Sequence, residues 1–228
     1  MFKAFKFAVL TIAALAVTGC VTAKSVDFNW QSDDRRVVLM PTDIQLLNMT
    51  GAGLEVPQAE WTAKAEGHFL TSLRDKLSET NSEIIESATG LGQPQEQVKL
   101  IKLHELVGAT IQTHVPGGPN ALPTKSINAT WSLGPSTRTL KQLYDADYAL
   151  FVHIRDSYTS GDRAAAVFVG ALLGVPMRRG SQRGFASLVD LSTGEVVWYN
   201  GIFRGNGDMR TLKGARETAD TLLQGFPG

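Results

Sequence analysis

The only cysteine in this chain, Cys20, stands just behind an N-terminal apolar run, and that position limits how the rest can fold. One thiol allows neither an intrachain disulfide framework nor a Cys-rich zinc site to staple a small structure. The chain must therefore close on a hydrophobic core, and 228 residues of which 43% are hydrophobic supply one. That length favours a single domain, and a charged content of 19% beside ample apolar residues excludes a disordered protein. Lys and Arg number 22 against 22 Asp and Glu, which excludes a generic nucleic-acid binder that works by neutralising phosphates.

Lys3 and Lys6, the apolar stretch from Phe7 to Val17 and the small residues behind it form the three parts of a secretory signal. The stretch is shorter than the roughly twenty apolar residues of a spanning helix. Its ending, Leu15-Ala16-Val17-Thr18-Gly19-Cys20, resembles the bacterial lipobox. The resemblance implies a diacylglycerol on the Cys20 thiol, cleavage before Cys20 and acylation of the new amine. Residues 1–19 are then a lipoprotein signal peptide, 20–34 a mostly polar lipidated tether and 35–228 a periplasmic domain. Val21, where the Gram-negative retention pattern has Asp, implies an outer-membrane anchor with the domain facing the periplasm. The cleaved chain would hold 209 residues with 20 basic and 22 acidic side chains, a formal charge of −2. Several acyl chains, at about 0.8 kcal/mol per buried methylene, hold such a domain on a membrane without a spanning helix.

Beyond the tether the patterning alternates. Arg36–Met40 reads as a buried strand stopped by Pro41. From Pro57 a helix places Trp61, Ala65, Phe69, Leu73 and Leu77 on one stripe. A short strand follows at Glu83–Glu86, and Pro94 opens a helix expected to turn Val98, Ile101, Leu103, Leu106 and Val107 inward. Residues 115–125 hold three prolines and two glycines and read as a loop. A helix is predicted over Pro135–Tyr144 with Leu140 and Leu143, then a long central strand over Ala146–Arg155. Arg183–Leu191 and Glu195–Phe203 form a hairpin across Ser192-Thr193-Gly194, and a last helix uses Leu212, Ala215, Ala219, Leu222 and Leu223. The fold class is α/β: one domain, a mixed β-sheet with helices on both faces, and a C-terminal antiparallel hairpin followed by a helix.

Between the central strand and the hairpin lies an apolar insert, 163–176, in which Ala164 to Val175 carry no polar side chain. As a helix those residues would extend about 18 Å, short of the roughly 30 Å hydrocarbon core. Three readings stand: an apolar connector packed on its own sheet, a contact between copies or partners, or insertion into the anchoring membrane face. Gly170 and Gly174 have a small-xxx-small spacing that admits another backbone, and Phe168, Leu172 and Leu173 would supply the contact. Arg163, Arg178 and Arg179 flank the segment, to reach lipid phosphates or to cap it. A protein contact is preferred over insertion.

No zincin, nucleophile-elbow or phosphate-loop motif occurs, and no cofactor or metal set is expected. His68, His104, His114 and His153 read as structural histidines. One cluster leaves an alternative open: His153 with Asp156 and Ser157, as the centre of a periplasmic hydrolase.

The strand Ala146-Asp147-Tyr148-Ala149-Leu150-Phe151-Val152, and the hairpin Ala186-Ser187-Leu188-Val189-Asp190-Leu191-Ser192-Thr193-Gly194-Glu195-Val196-Val197-Trp198, are similar to a pattern in small periplasmic domains of outer-membrane lipoproteins. That group includes the curli-secretion lipoproteins and the lipoprotein activators of penicillin-binding proteins. The resemblance implies a non-enzymatic domain that binds envelope partners or oligomerises, and an auxiliary part of an envelope transport system stands beside it as an alternative. The insert 163–176 and the loop 115–125 depart from the pattern, and Cys20 is the one functional residue it carries over.

Overall fold

The computed structural model describes residues 35–80, 82–114, 118–125, 130–205 and 207–227; Cys20 and the expected tether lie outside them. In chain order these residues form β1 (Arg35–Leu39), β2 (Asp43–Met49), β3 (Glu55–Pro57), α1 (Ala59–Leu77), β4 (Ser82–Glu86) and α2 (Gln95–Thr113). There follow α3 (Arg138–Tyr144), β5 (Tyr148–Thr159), α4 (Gly161–Leu172), β6 (Gln182–Asp190), β7 (Val196–Arg204) and α5 (Leu212–Leu222).

β5 organises the sheet. Along one of its edges β1 and β2 run in series and parallel to it, with Val37 opposite Tyr148 and Asp43 opposite His153. Between them Met40, Pro41 and Thr42 face only Phe151 and Val152, so the junction is a bulge with one extra residue. β4 pairs parallel with the outer edge of β1, and β3 pairs antiparallel with the far end of β2. The other edge of β5 carries β6 and then β7, both antiparallel to their neighbours. Gly194 closes the β6–β7 hairpin at φ +81°, and Asp190 Oδ1 accepts the N–H groups of Ser192 and Thr193 at 2.7 and 3.0 Å. The architecture is the expected α/β domain on a mixed sheet, with the hairpin followed by a helix.

The two faces of the sheet are covered differently. α1 and α5 bury Phe69, Leu73, Ala219 and Leu222 against Leu150 and Ile154. α2 and α3 bury Leu100 and Leu140 on the opposite face against Val38, Phe151 and Val189. Each of the larger side chains contributes about 1.5–3 kcal/mol by leaving water.

Three expectations require correction. α2 turns Gln97, Leu100, His104, Gly108 and Ile111 to the sheet, whereas Val98 and Leu106 are 41% and 67% exposed. The reason lies at Gly108: a Cβ there would meet the Phe185 ring at 2.0 Å, so the helix can approach closely only on its glycine side. Gln97, polar but fully buried, donates to the Ala88 carbonyl at 2.7 Å and accepts from the Tyr144 hydroxyl. Leu143 and Leu212, expected inside, are about half exposed. The first strand does end before Pro41, but the expected pattern is incomplete: the chain bulges there and resumes as β2, and the short β3 follows.

Candidate functional site

The insert is a helix with one buried side. Ser160 Oγ caps α4 by accepting the N–H of Arg163 at 3.2 Å, and Gly174 at φ +71° turns the chain out of it. Arg163, Val167 and Gly170 face inward. The Arg163 guanidinium does not reach outward as a flanking arginine would. Its Nε donates to the Arg178 carbonyl at 3.0 Å and its Nη1 to the Gly51 carbonyl at 3.4 Å. At Gly170 a Cβ would lie 2.8 Å from Met177 Sδ, so this glycine makes room for the chain's own methionine. Phe168, Leu172 and Leu173 project the other way, 65%, 73% and 74% exposed, with Val169 and Val175 beside them. The segment packs as a connector on one side only; its large side chains form an uncovered apolar face.

The structure does not assemble the expected polar cluster. Successive residues of a strand point to opposite faces, and β5 follows that rule. His153 lies on the α2 face, its ring stacked on Phe185 at 4.9 Å between centroids and its Nδ1 3.3 Å from Asp43 Oδ2. Asp156 lies on the α1–α5 face, where its Oδ2 accepts from the Tyr158 hydroxyl and from Gln182 Nε2 at 2.9 Å. Burial raises the Asp156 carboxyl above its ordinary value, although the bonds from Tyr158 and Gln182 act against this. Ser157 Oγ is taken up by the Ser181 backbone, donating to its carbonyl at 3.1 Å and accepting its N–H at 2.9 Å. Three side chains with three separate sets of partners form no nucleophile–base–orienter unit.

Asp43 is the acid beside His153, a partner 110 positions away that only the β2–β5 register supplies. Asp43, Glu105 and His153 each place a ligand-type atom within 4.8 Å of the others. The two carboxylates are already answered by cations. Arg155 reaches Asp43 at 3.0 Å and Glu105 at 3.4 Å, and Lys102 reaches them at 3.4 and 3.5 Å. A metal there would have to displace the guanidinium, so the donor set fits an ion-pair network better than a metal centre. Burial alone would raise the Asp43 carboxyl, but the bonds and charges of His153 and Arg155 outweigh it and hold Asp43 well below its usual range. Behind this network His104 is fully enclosed, sharing a 2.9 Å hydrogen bond with Ser187 Oγ and lying 5.0 Å from the Phe151 ring. Burial, with the charge of His153, drives His104 down to about 3, so it stays neutral. The candidate site is therefore the apolar face of α4, while His153, Asp156 and Ser157 each find partners within the fold.

No protein-family model matches the chain, and no curated protein does. Among solved structures it is similar to the PelC dodecamer from Paraburkholderia phytofirmans, with TM-score 0.38, 12% identity, and coverage of 90% of this chain and 98% of that one. It is also similar to the lipoprotein GNA1162 from Neisseria meningitidis, with TM-score 0.31 and 15% identity over 74% of this chain and 81% of that one. The C-terminal domain of LpoB from Salmonella enterica gives TM-score 0.30 and 11% identity over 75% and 83%.

Proposed function

We propose that this protein is a lipid-anchored module of the bacterial cell envelope that works by binding a protein partner or further copies of itself, and not by catalysis. The observation that carries the reading is the uncovered face of α4, where Phe168, Leu172 and Leu173 stand together outside the core. Cys20 supplies the anchor: two-dimensional confinement by acyl chains raises the effective concentration of the domain for whatever the face meets.

Geometry favours a protein over the anchoring bilayer as what covers α4. The chain enters the domain at Arg35, beside the start of β5, and α4 begins beyond the opposite end of that strand. Twelve residues of strand put these points about 40 Å apart. The segment between Cys20 and Arg35 spans at most about 50 Å even fully extended. Contact between α4 and the anchoring leaflet would thus need either almost all of that reach or a domain laid with β5 along the leaflet.

Two measurements test the reading. Changing Cys20 to Ala should move the protein into the soluble periplasmic fraction; retention with membranes would refute the anchor. A photo-crosslinker at Leu172 in the intact lipoprotein should capture a protein, and capture of phospholipid alone would refute the contact.

A further inference from the structure

A cleft of about 420 Å³ opens where the sheet has a gap in its outer edge. β4 covers that edge only alongside β1, and β3 covers it only from Leu47 onward. From Met40 to Leu46 no strand among the described residues lies outside the β1–β2 junction. Pro41, in the middle of the gap, brings no N–H that a strand would have to satisfy. α1 closes the upper part, with Thr62 Oγ1 accepting the Leu46 N–H at 3.0 Å and the Gln58 N–H bonding the Leu46 carbonyl at 2.9 Å. The cleft occupies the lower part, at the carboxyl ends of the parallel strands β1 and β4, where open α/β sheets place their ligands.

Its wall has one unanswered charge. Glu66, Leu70 and Arg74 follow one another at helical spacing along α1 and all line the cleft. Arg74 is committed: its Nε donates to Glu86 Oε1 at 2.7 Å. Glu66, half-buried, has neither a hydrogen bond nor an ion pair among the described residues. Burial raises its carboxyl, and the nearby charge of Asp43 adds to this. A cation placed against Glu66 would relieve both effects. Leu70 forms an apolar surface beside the carboxylate.

We propose that this cleft binds a small organic molecule bearing a primary ammonium group on a short apolar frame, with Glu66 accepting from the ammonium and Leu70 packing against the frame. No residue lining the cleft belongs to α4, and the proposal uses neither the anchor nor the contact face, so it stands or falls independently of that reading.

The test uses butylammonium as the cationic probe, with butyrate and butanol as anionic and neutral counterparts, on the isotopically labelled full-length protein. Saturable backbone shifts should appear at residues 66–74 and 86–93 with butylammonium and not with the other two. Glu66→Gln should weaken the probe at least tenfold, whereas Glu60→Gln, on the same helix outside the cleft, should leave its affinity unchanged. Equal binding of butanol, or an unaltered affinity in Glu66→Gln, would overturn the proposal. Shifts centred elsewhere would overturn it as well.

Discussion

Two residues on the α2 face show how single side chains set the tolerances of this fold. At Gly108 a methyl group would meet the Phe185 ring at 2.0 Å, a distance no real Cβ contact shows. Replacement by Ala gains about 1 kcal/mol in helix propensity but forces the ring or the helix to move. Gly108→Ala should therefore lower stability by about 1–3 kcal/mol, read as a lower urea midpoint at constant slope. Phe185→Leu in the same chain should recover part of that loss. His104 governs the acid side. Its ordinary value is 6.5 and in the fold it lies near 3. Below pH 6.5 the unfolded chain takes up a proton that the folded chain refuses, so stability falls as pH falls from about 6.5 towards 3. Asp43, held below its usual range, adds its own loss only under about pH 3.8. Changing His104 to Phe together with Ser187 to Ala removes the titrating group without stranding its hydroxyl partner. Urea midpoints of that variant should be flat between pH 6.5 and 4, where those of the parent decline. Neither site was legible from the chain alone. His104 and Gly108 looked like ordinary helix residues because the ring that constrains them, Phe185, lies about eighty positions away.

Among the elements, α4 and β2 mark the two ways in which local patterning runs out. The run from Ala164 to Val175 is uniformly apolar, so no periodicity in it separates a buried side from an exposed one. Tertiary contacts make the separation: Arg163 bonds the carbonyls of Gly51 and Arg178, and Met177 fills the space at Gly170, which turns Phe168, Leu172 and Leu173 outward. Leu172→Lys should then change stability by no more than about 0.5 kcal/mol while sharply reducing crosslinks captured at this face. Gly170→Leu should cost stability outright, because the new side chain would displace Met177. Equal destabilisation by both substitutions, followed by thermal unfolding, would mean that α4 is covered by its own chain. β2 fails in the opposite direction. Its apolar residues Ile44, Leu46, Leu47 and Met49 keep no strict alternation, and Pro41 just before it reads as a terminator. In the sheet Pro41 occupies a bulge at an uncovered edge, a position where a missing N–H costs nothing. α1 was legible in full because its stripe from Trp61 to Leu77 repeats for five turns against one neighbouring surface.

At the scale of the whole molecule, the sheet separates the α4 face from the point where the chain enters the domain. Arg35 and α4 flank opposite ends of β5, so under the proposed anchoring the lipid would join the domain at the end of the strand away from α4. Inserting about fifteen Gly/Ser residues after position 34 should leave partner crosslinks at Leu172 detectable, whereas a face that needed the anchoring bilayer would gain lipid contacts as the reach increased. The sequence alone determined the class of the fold, α/β with a terminal hairpin and helix, because hydrophobic period and turn chemistry are local properties. It also provided the expectation of a lipid anchor at Cys20, since a targeting segment is recognised as linear chain. The tertiary structure decided what register and packing control. It separated His153 from Asp156 by the two-residue period of β5 and gave His153 the distant Asp43 instead. It left Glu66 on α1 facing a cleft without a partner among the described residues, and it exposed one side of an apolar helix. Each of these depends on residues far apart in the chain, and only the folded sheet brings them to their distances.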